Sequence, residues 1–86
     1  MDREAIKEKL QTIFRVVFDD NTIELSDAMT AEDVEEWDSL NHINLIVAVE
    51  KEFGIRFTTR EVYAANTVGE FVDMLEACLR RQGKIT

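Results

Sequence analysis

The chain has 86 residues with a formal net charge of −8, no proline, three glycines and a single cysteine. That length allows one small domain, and the dearth of proline and glycine favours helix over sheet or linker. The acidity argues against nucleic acid, which needs clustered Lys and Arg, and one cysteine excludes both an internal disulfide and a Cys-based zinc site.

With 45% apolar residues the chain is expected to fold as one domain over 1–86. The first residues, MDREAIKEKL, lack the apolar core of a signal peptide, and no apolar stretch is long enough to span a bilayer. A soluble cytoplasmic monomer with no membrane insertion is expected. Neither internal repeats nor low-complexity segments occur.

Ile6, Leu10, Ile13 and Val17 recur at helical spacing, so residues 3–18 read as an amphipathic helix with Asp2 as its cap. Residues 19–38, DDNTIELSDAMTAEDVEEWD, form a long acidic loop that Ile23, Leu25, Met29, Val34 and Trp37 pin to the core, with one helical turn expected over Thr30–Asp33. A second helix opens at Ser39 with Leu40, Ile43, Leu45, Ile46, Val49 and Phe53, and Gly54 stops it. This apolar surface is wider than one core stripe needs: either the helix is buried on two sides or part of it meets a partner.

Thr58–Glu61 (TTRE) matches the capping-box pattern and predicts a short third helix near 59–64. Thr67–Glu70 (TVGE) matches it again and starts a last helix carrying Val68, Phe71, Val72, Leu75 and Leu79, which ends near Gly83. The fold class is all-α: a four-helix bundle of three longer helices and one short one, with a long loop after the first.

Charge is unevenly placed. No Lys or Arg lies between Arg15 and Lys51, while that span holds Asp19, Asp20, Glu24, Asp27, Glu32, Asp33, Glu35, Glu36, Asp38 and Glu50. A negative field on one side would steer basic partners, although solubility alone also accounts for it. A calcium loop is not supported. Starting at Asp19 puts Ile23 and Glu24 where oxygen and glycine are needed, and starting at Asp20 puts Leu25 at the glycine position.

Ser39 carries the functional question. It is expected to cap the second helix. As a nucleophile it would need His42 as base and Asp38 as orienter, but Asp38 is outside the helix and no oxyanion hole is apparent, so His42 reads as a surface residue. As a modification site it sits where free amides and the helix dipole welcome a phosphate.

The stretch WDSLNHINLIVAVEKEFGIRF resembles the second helix of an acyl carrier protein, and Asn66-Thr67-Val68 resembles the start of that family's last helix. The resemblance covers nearly the whole chain and implies the acyl-carrier four-helix fold. It also implies a chain that is not an enzyme but carries acyl intermediates as thioesters on a 4'-phosphopantetheine arm attached to Ser39. The implied partners are a phosphopantetheinyl transferase and the acyl-loading, acyl-transfer and synthase enzymes of fatty-acid, lipid or polyketide-type biosynthesis. Asp38, Leu40, Ile43, Val47 and Glu50 are candidates for partner recognition. Ile46, Phe57, Val62 and Ala65 are candidates for an acyl pocket. No metal ligands are assigned, and Cys78 reads as a small core residue.

Asn41, Asn44 and Lys51 stand where acids are common in carriers of general fatty-acid synthesis, and Trp37 stands where those tend to have a small residue. A specialised carrier is therefore expected. A peptidyl or aminoacyl carrier and an unmodified acidic interaction module are the alternatives.

Overall fold

A computed structural model describes residues 2–34 and 37–83. Glu35 and Glu36, which belong to the acidic tract, lie outside the described residues. Among the described residues four helices follow one another: α1 (Arg3–Val17), α2 (Ser39–Phe53), α3 (Thr59–Val62) and α4 (Val68–Arg81). The four-helix, all-α reading and the long first connection are as the apolar periodicity indicated.

α1 packs against both α2 and α4. Its stripe at Ile6, Leu10, Ile13 and Phe14 is buried, and it meets Leu45, Ile46, Val49 and Phe53 of α2 and Val68, Phe71, Val72, Leu75 and Leu79 of α4 in one core. Burying each such side chain stabilises the fold by roughly 1.5–3 kcal/mol relative to exposure.

The ends are set by local chemistry. Asp2 caps α1 through its carboxylate and the Ala5 amide, 2.9 Å apart. At the other end Asp20 N–H reaches the Arg15 carbonyl (3.0 Å) and Asp19 N–H the Val16 carbonyl (3.3 Å), a Schellman closure. It places Asp19 at φ 51°, which aspartate tolerates better than most residues. Gly54 ends α2 at φ 66°, ψ 38°, where a side chain would be strained.

The first connection is fastened rather than loose. Val68 N–H donates to the Met29 carbonyl (2.8 Å) and Gly69 N–H to the Asp27 carbonyl (2.9 Å). Two orphan amides of the α4 N-terminus thus hold the loop. Ile23 and Val34 are buried, and Trp37 stands edge-on to Phe14 at 5.1 Å. The expected helical turn at Thr30–Asp33 is instead a hydrogen-bonded turn: the Asp33 carboxylate accepts the Thr30 N–H (2.9 Å), and the Thr30 hydroxyl accepts the Glu32 N–H.

α3 has only four residues, too few to hold itself. Both halves of its capping box are made, Thr58 Oγ1 accepting from Glu61 N and Glu61 Oε1 accepting from Thr58 N. The second expected box is half-made. Thr67 Oγ1 accepts from Glu70 N, but the Glu70 carboxylate takes the Asn66 amide instead.

Candidate functional site

Asp38, not Ser39, caps α2. Asp38 has extended backbone angles (φ −100°, ψ −176°) and its carboxylate accepts from Asn41 N–H at 2.8 Å. Aspartate and serine are equally good caps, so which of two neighbours serves is decided by where the backbone turns helical. Ser39 is therefore the first residue inside the helix. It is exposed, and among the described residues neither its hydroxyl nor the amides of Ser39 and Leu40 are engaged by another group.

His42 is not the surface residue that its position in the sequence suggested. It is half-buried, Trp37 Nε1–H donates to its Nδ1 (3.1 Å), and its Nε2 lies 2.7 Å from the Val62 carbonyl. An indole N–H can only donate, so Nδ1 is the acceptor and Nε2–H donates to Val62. Both ring nitrogens are taken, which removes His42 as a base for Ser39. One imidazole thus ties the end of the first loop, α2 and α3 together. Trp37, His42 and Tyr63 form a row of rings with neighbouring centroids 6.1 and 6.0 Å apart. With Ala31, Asp38, Ala65 and Asn66 they line an open cleft of about 420 Å³ beside Ser39. Neither Tyr63 nor Trp37 is marked for this cleft by the sequence pattern alone. The one signal was an aromatic residue just past a short helix with no periodic partner.

The candidate recognition residues separate by exposure. Leu40 (72%), Ile43 (42%) and Val47 (44%) face solvent, so part of the broad apolar surface of α2 is left uncovered by its own chain. Asp38 is exposed beside them. Glu50 is half-buried and its Oε2 accepts from Phe57 N–H (2.9 Å), which holds the connection to α3. Of the candidate pocket residues, Ile46 is buried in the core and Phe57 stands edge-on to Phe71 at 6.2 Å. Val62 and Ala65 are half-buried, and Ala65 also lines the Ser39 cleft.

Cys78 is fully buried, and its thiol donates to Glu61 Oε2 at 3.1 Å. Burial and then the Glu61 carboxylate push the thiol up to about 11. The Arg81 guanidinium grips both Glu61 oxygens at 3.1 and 3.2 Å. That grip, with the Thr58 amide and the Cys78 thiol, holds the Glu61 carboxyl down at about 2. This is an inert thiol in a structural cluster.

Comparison with known proteins bears directly on this geometry. The family described as "Phosphopantetheine attachment site" matches residues 4–75. The chain belongs to that family. The solution NMR structure of a holo acyl carrier protein from Geobacter metallireducens superposes with a TM-score of 0.84 at 37% identity, covering 94% of this chain and 93% of that one. No curated protein sequence matches. The chain is thus a carrier protein of the acyl-carrier type rather than an enzyme, and its cofactor is a covalently bound phosphopantetheine.

The α2 N-terminus fits such a group. A phosphodiester needs an accessible hydroxyl and unpaired donors, and here an exposed serine stands among free amides at the positive end of a 15-residue helix. The Asp38 carboxylate nearby is a like charge, but it is exposed to solvent screening and turned to Asn41 N–H.

Proposed function

We propose that Ser39 is the attachment point of the 4'-phosphopantetheine arm and that this carrier delivers acyl intermediates to the enzymes of a fatty-acid, lipid or polyketide-type biosynthesis. The observation that carries the reading is the exposed Ser39 hydroxyl, displaced from the capping role by Asp38 and set at a helix start with open amides. The arm supplies a terminal thiol on which cargo rides as a thioester.

The chain's own residues do the rest. The open Ser39 and Leu40 amides would hold the phosphate. Asp38, Leu40, Ile43 and Val47 form the contact face, with Glu50 holding the turn that borders it. Tethering raises the local concentration of cargo at whichever enzyme docks, and weak, fast docking lets the carrier move on. Ile46, Phe57, Val62 and Ala65 are the proposed lining of a space that an acyl chain opens between α2 and α3. Residues 1–86 act as one carrier domain, a monomer working in the cytoplasm. A phosphopantetheinyl transferase and acyl-loading, acyl-transfer or synthase enzymes are its partners. Acyl rather than aminoacyl cargo is favoured by the similarity to a holo acyl carrier protein.

The test is intact mass after incubation with coenzyme A and a broad-specificity phosphopantetheinyl transferase. Wild type should gain one phosphopantetheine and Ser39→Ala none. A folded wild type that several transferases leave unmodified would leave an unmodified interaction module as the better reading.

A further inference from the structure

Six of the nine Lys and Arg side chains among the described residues are engaged. Arg3 binds Asp73 and Glu76, Lys7 binds Asp27, Lys9 binds Glu52, Arg80 binds Glu76 and Arg81 binds Glu61. The Arg15 guanidinium donates to the Ile23 carbonyl. Among the described residues three exposed cationic side chains have no partner: Lys51, Arg56 and Arg60. Lys51 lies in the last turn of α2, Arg56 in the connection to α3 and Arg60 in α3 itself. The acids nearest Lys51 in sequence do not neutralise them, because Glu50 is turned to the Phe57 amide and Glu52 to Lys9.

Lys51 and Arg56 line one open cleft of about 480 Å³ with Val47, Glu50, Gly54 and Ile55. Val47 is also the last of the uncovered apolar residues of α2. Positions 40, 43, 47 and 51 fall on one helix face at three- and four-residue steps. Leu40 and Lys51 are eleven residues apart, about 17 Å along the axis. That is roughly twice the screening length at physiological salt, so a partner reads the two ends separately. The face is thus acidic at Asp38, apolar through Leu40, Ile43 and Val47, and cationic at Lys51 and Arg56. Solubility does not explain the last part, since unpaired cations on a chain of net charge −8 only bring it nearer neutrality.

We propose that Lys51 and Arg56 form the anion-reading end of the docking face, and that the enzyme this carrier serves presents Asp or Glu side chains there beside an apolar patch. The inference rests on the carrier reading and adds the partner's chemistry to it. A uniformly basic partner surface would suit Asp38 but be repelled at the other end.

The probe is a synthetic helical peptide with a stripe of leucines flanked by glutamates, titrated into the ¹⁵N-labelled carrier while amide shifts are followed. Its lysine-for-glutamate counterpart and vesicles of phosphatidylglycerol are run in parallel. Wild type is studied with and without the arm, and the Lys51→Glu/Arg56→Glu variant without it, against unmodified wild type. The glutamate peptide should shift the amides of Val47, Lys51 and Gly54 to Arg56, and the double reversal should weaken its binding by ~fivefold or more. Equal shifts there with the lysine peptide, unchanged affinity in the variant, or no response at these amides would overturn the proposal. A response to vesicles with none to the peptide would assign the cations to a membrane surface and overturn it too. If wild type takes up the arm while the peptide fails, the docking inference falls and the carrier reading stands. If Ser39 is never modified, the carrier reading falls whatever the peptide does.

Discussion

Glu61 shows how a site can depend on a residue that never touches it. Its carboxylate takes four donors: Thr58 N–H at 2.9 Å, Cys78 Sγ–H at 3.1 Å, and two Arg81 nitrogens at 3.1 and 3.2 Å. These contacts tie a four-residue helix to α4, and that helix supplies the Val62 carbonyl that holds His42 beside Ser39. Glu61→Gln keeps the shape and one acceptor oxygen but loses the charge. A half-exposed ion pair contributes up to about 1 kcal/mol, and weakening a charge-assisted cap and the acceptor of a buried thiol adds a similar amount, for a total of about 1–2 kcal/mol. In a domain of this size that lowers Tm by roughly 5–15 °C.

The pH dependence has a definite sign. The folded Glu61 carboxyl is depressed from 4.5 to about 2, so its stabilisation is complete above pH 4.5 and is lost as pH falls from there toward about 2. Urea unfolding followed by helical circular dichroism, at pH 7 and about pH 3, should show a gap between wild type and variant that narrows on acidification. Cys78 should also react faster in the variant, since Glu61 helps to hold its thiol protonated. A gap under about 0.3 kcal/mol at pH 7, or one unchanged in acid, would refute this account of α3.

Three further outcomes follow from the same structure. In the folded, arm-bearing protein, iodoacetamide at about pH 8 should label only the arm thiol, because Cys78 is buried with its thiol pushed up to about 11; labelling of Cys78 should appear only on unfolding, as read by peptide mass. Gly69→Ala should cost no more than about 2 kcal/mol in thermal unfolding: its Cβ would sit 3.1 Å from both Cβ and the carbonyl oxygen of Asp27, so the loop must shift slightly at a cost of about 1–3 kcal/mol, offset by about 1 kcal/mol of helix propensity gained in α4. Leu40→Ala should leave stability within about 0.5 kcal/mol, the side chain being 72% exposed, while lowering the efficiency of the transferase reaction read by intact mass.

Local chemistry made most of the fold legible. Asp2, Thr58 and Thr67 cap helices where their side chains suggested, and Gly54 ends α2 in the left-handed conformation. The α2 cap lies one residue before the expected Ser39, because Asp38 and Ser39 have the same capping chemistry and only the backbone angles separate them. Thr30 is a helix-start residue type, yet the segment stops at one turn, closed by the Asp33 N–H on the Thr30 carbonyl at 3.0 Å. What stayed hidden depends on residues brought together by the fold. The Trp37 indole on His42 and the Val62 carbonyl beneath it join three segments, and the Glu61–Arg81 pair spans 20 residues. The division of α2 into buried Leu45, Ile46, Val49 and Phe53 and uncovered Leu40, Ile43 and Val47 was foreshadowed by its excess apolar width, but only packing against α1 decides which side is which.

Attachment of the arm at Ser39 is tested by the intact mass of the protein as isolated from its own cells, with fragmentation to place any added group. One phosphopantetheine on Ser39 is expected, with part of the population carrying an acyl group that hydroxylamine releases. A chain that is uniformly unmodified, or one that bears the arm at any residue other than Ser39, would contradict it.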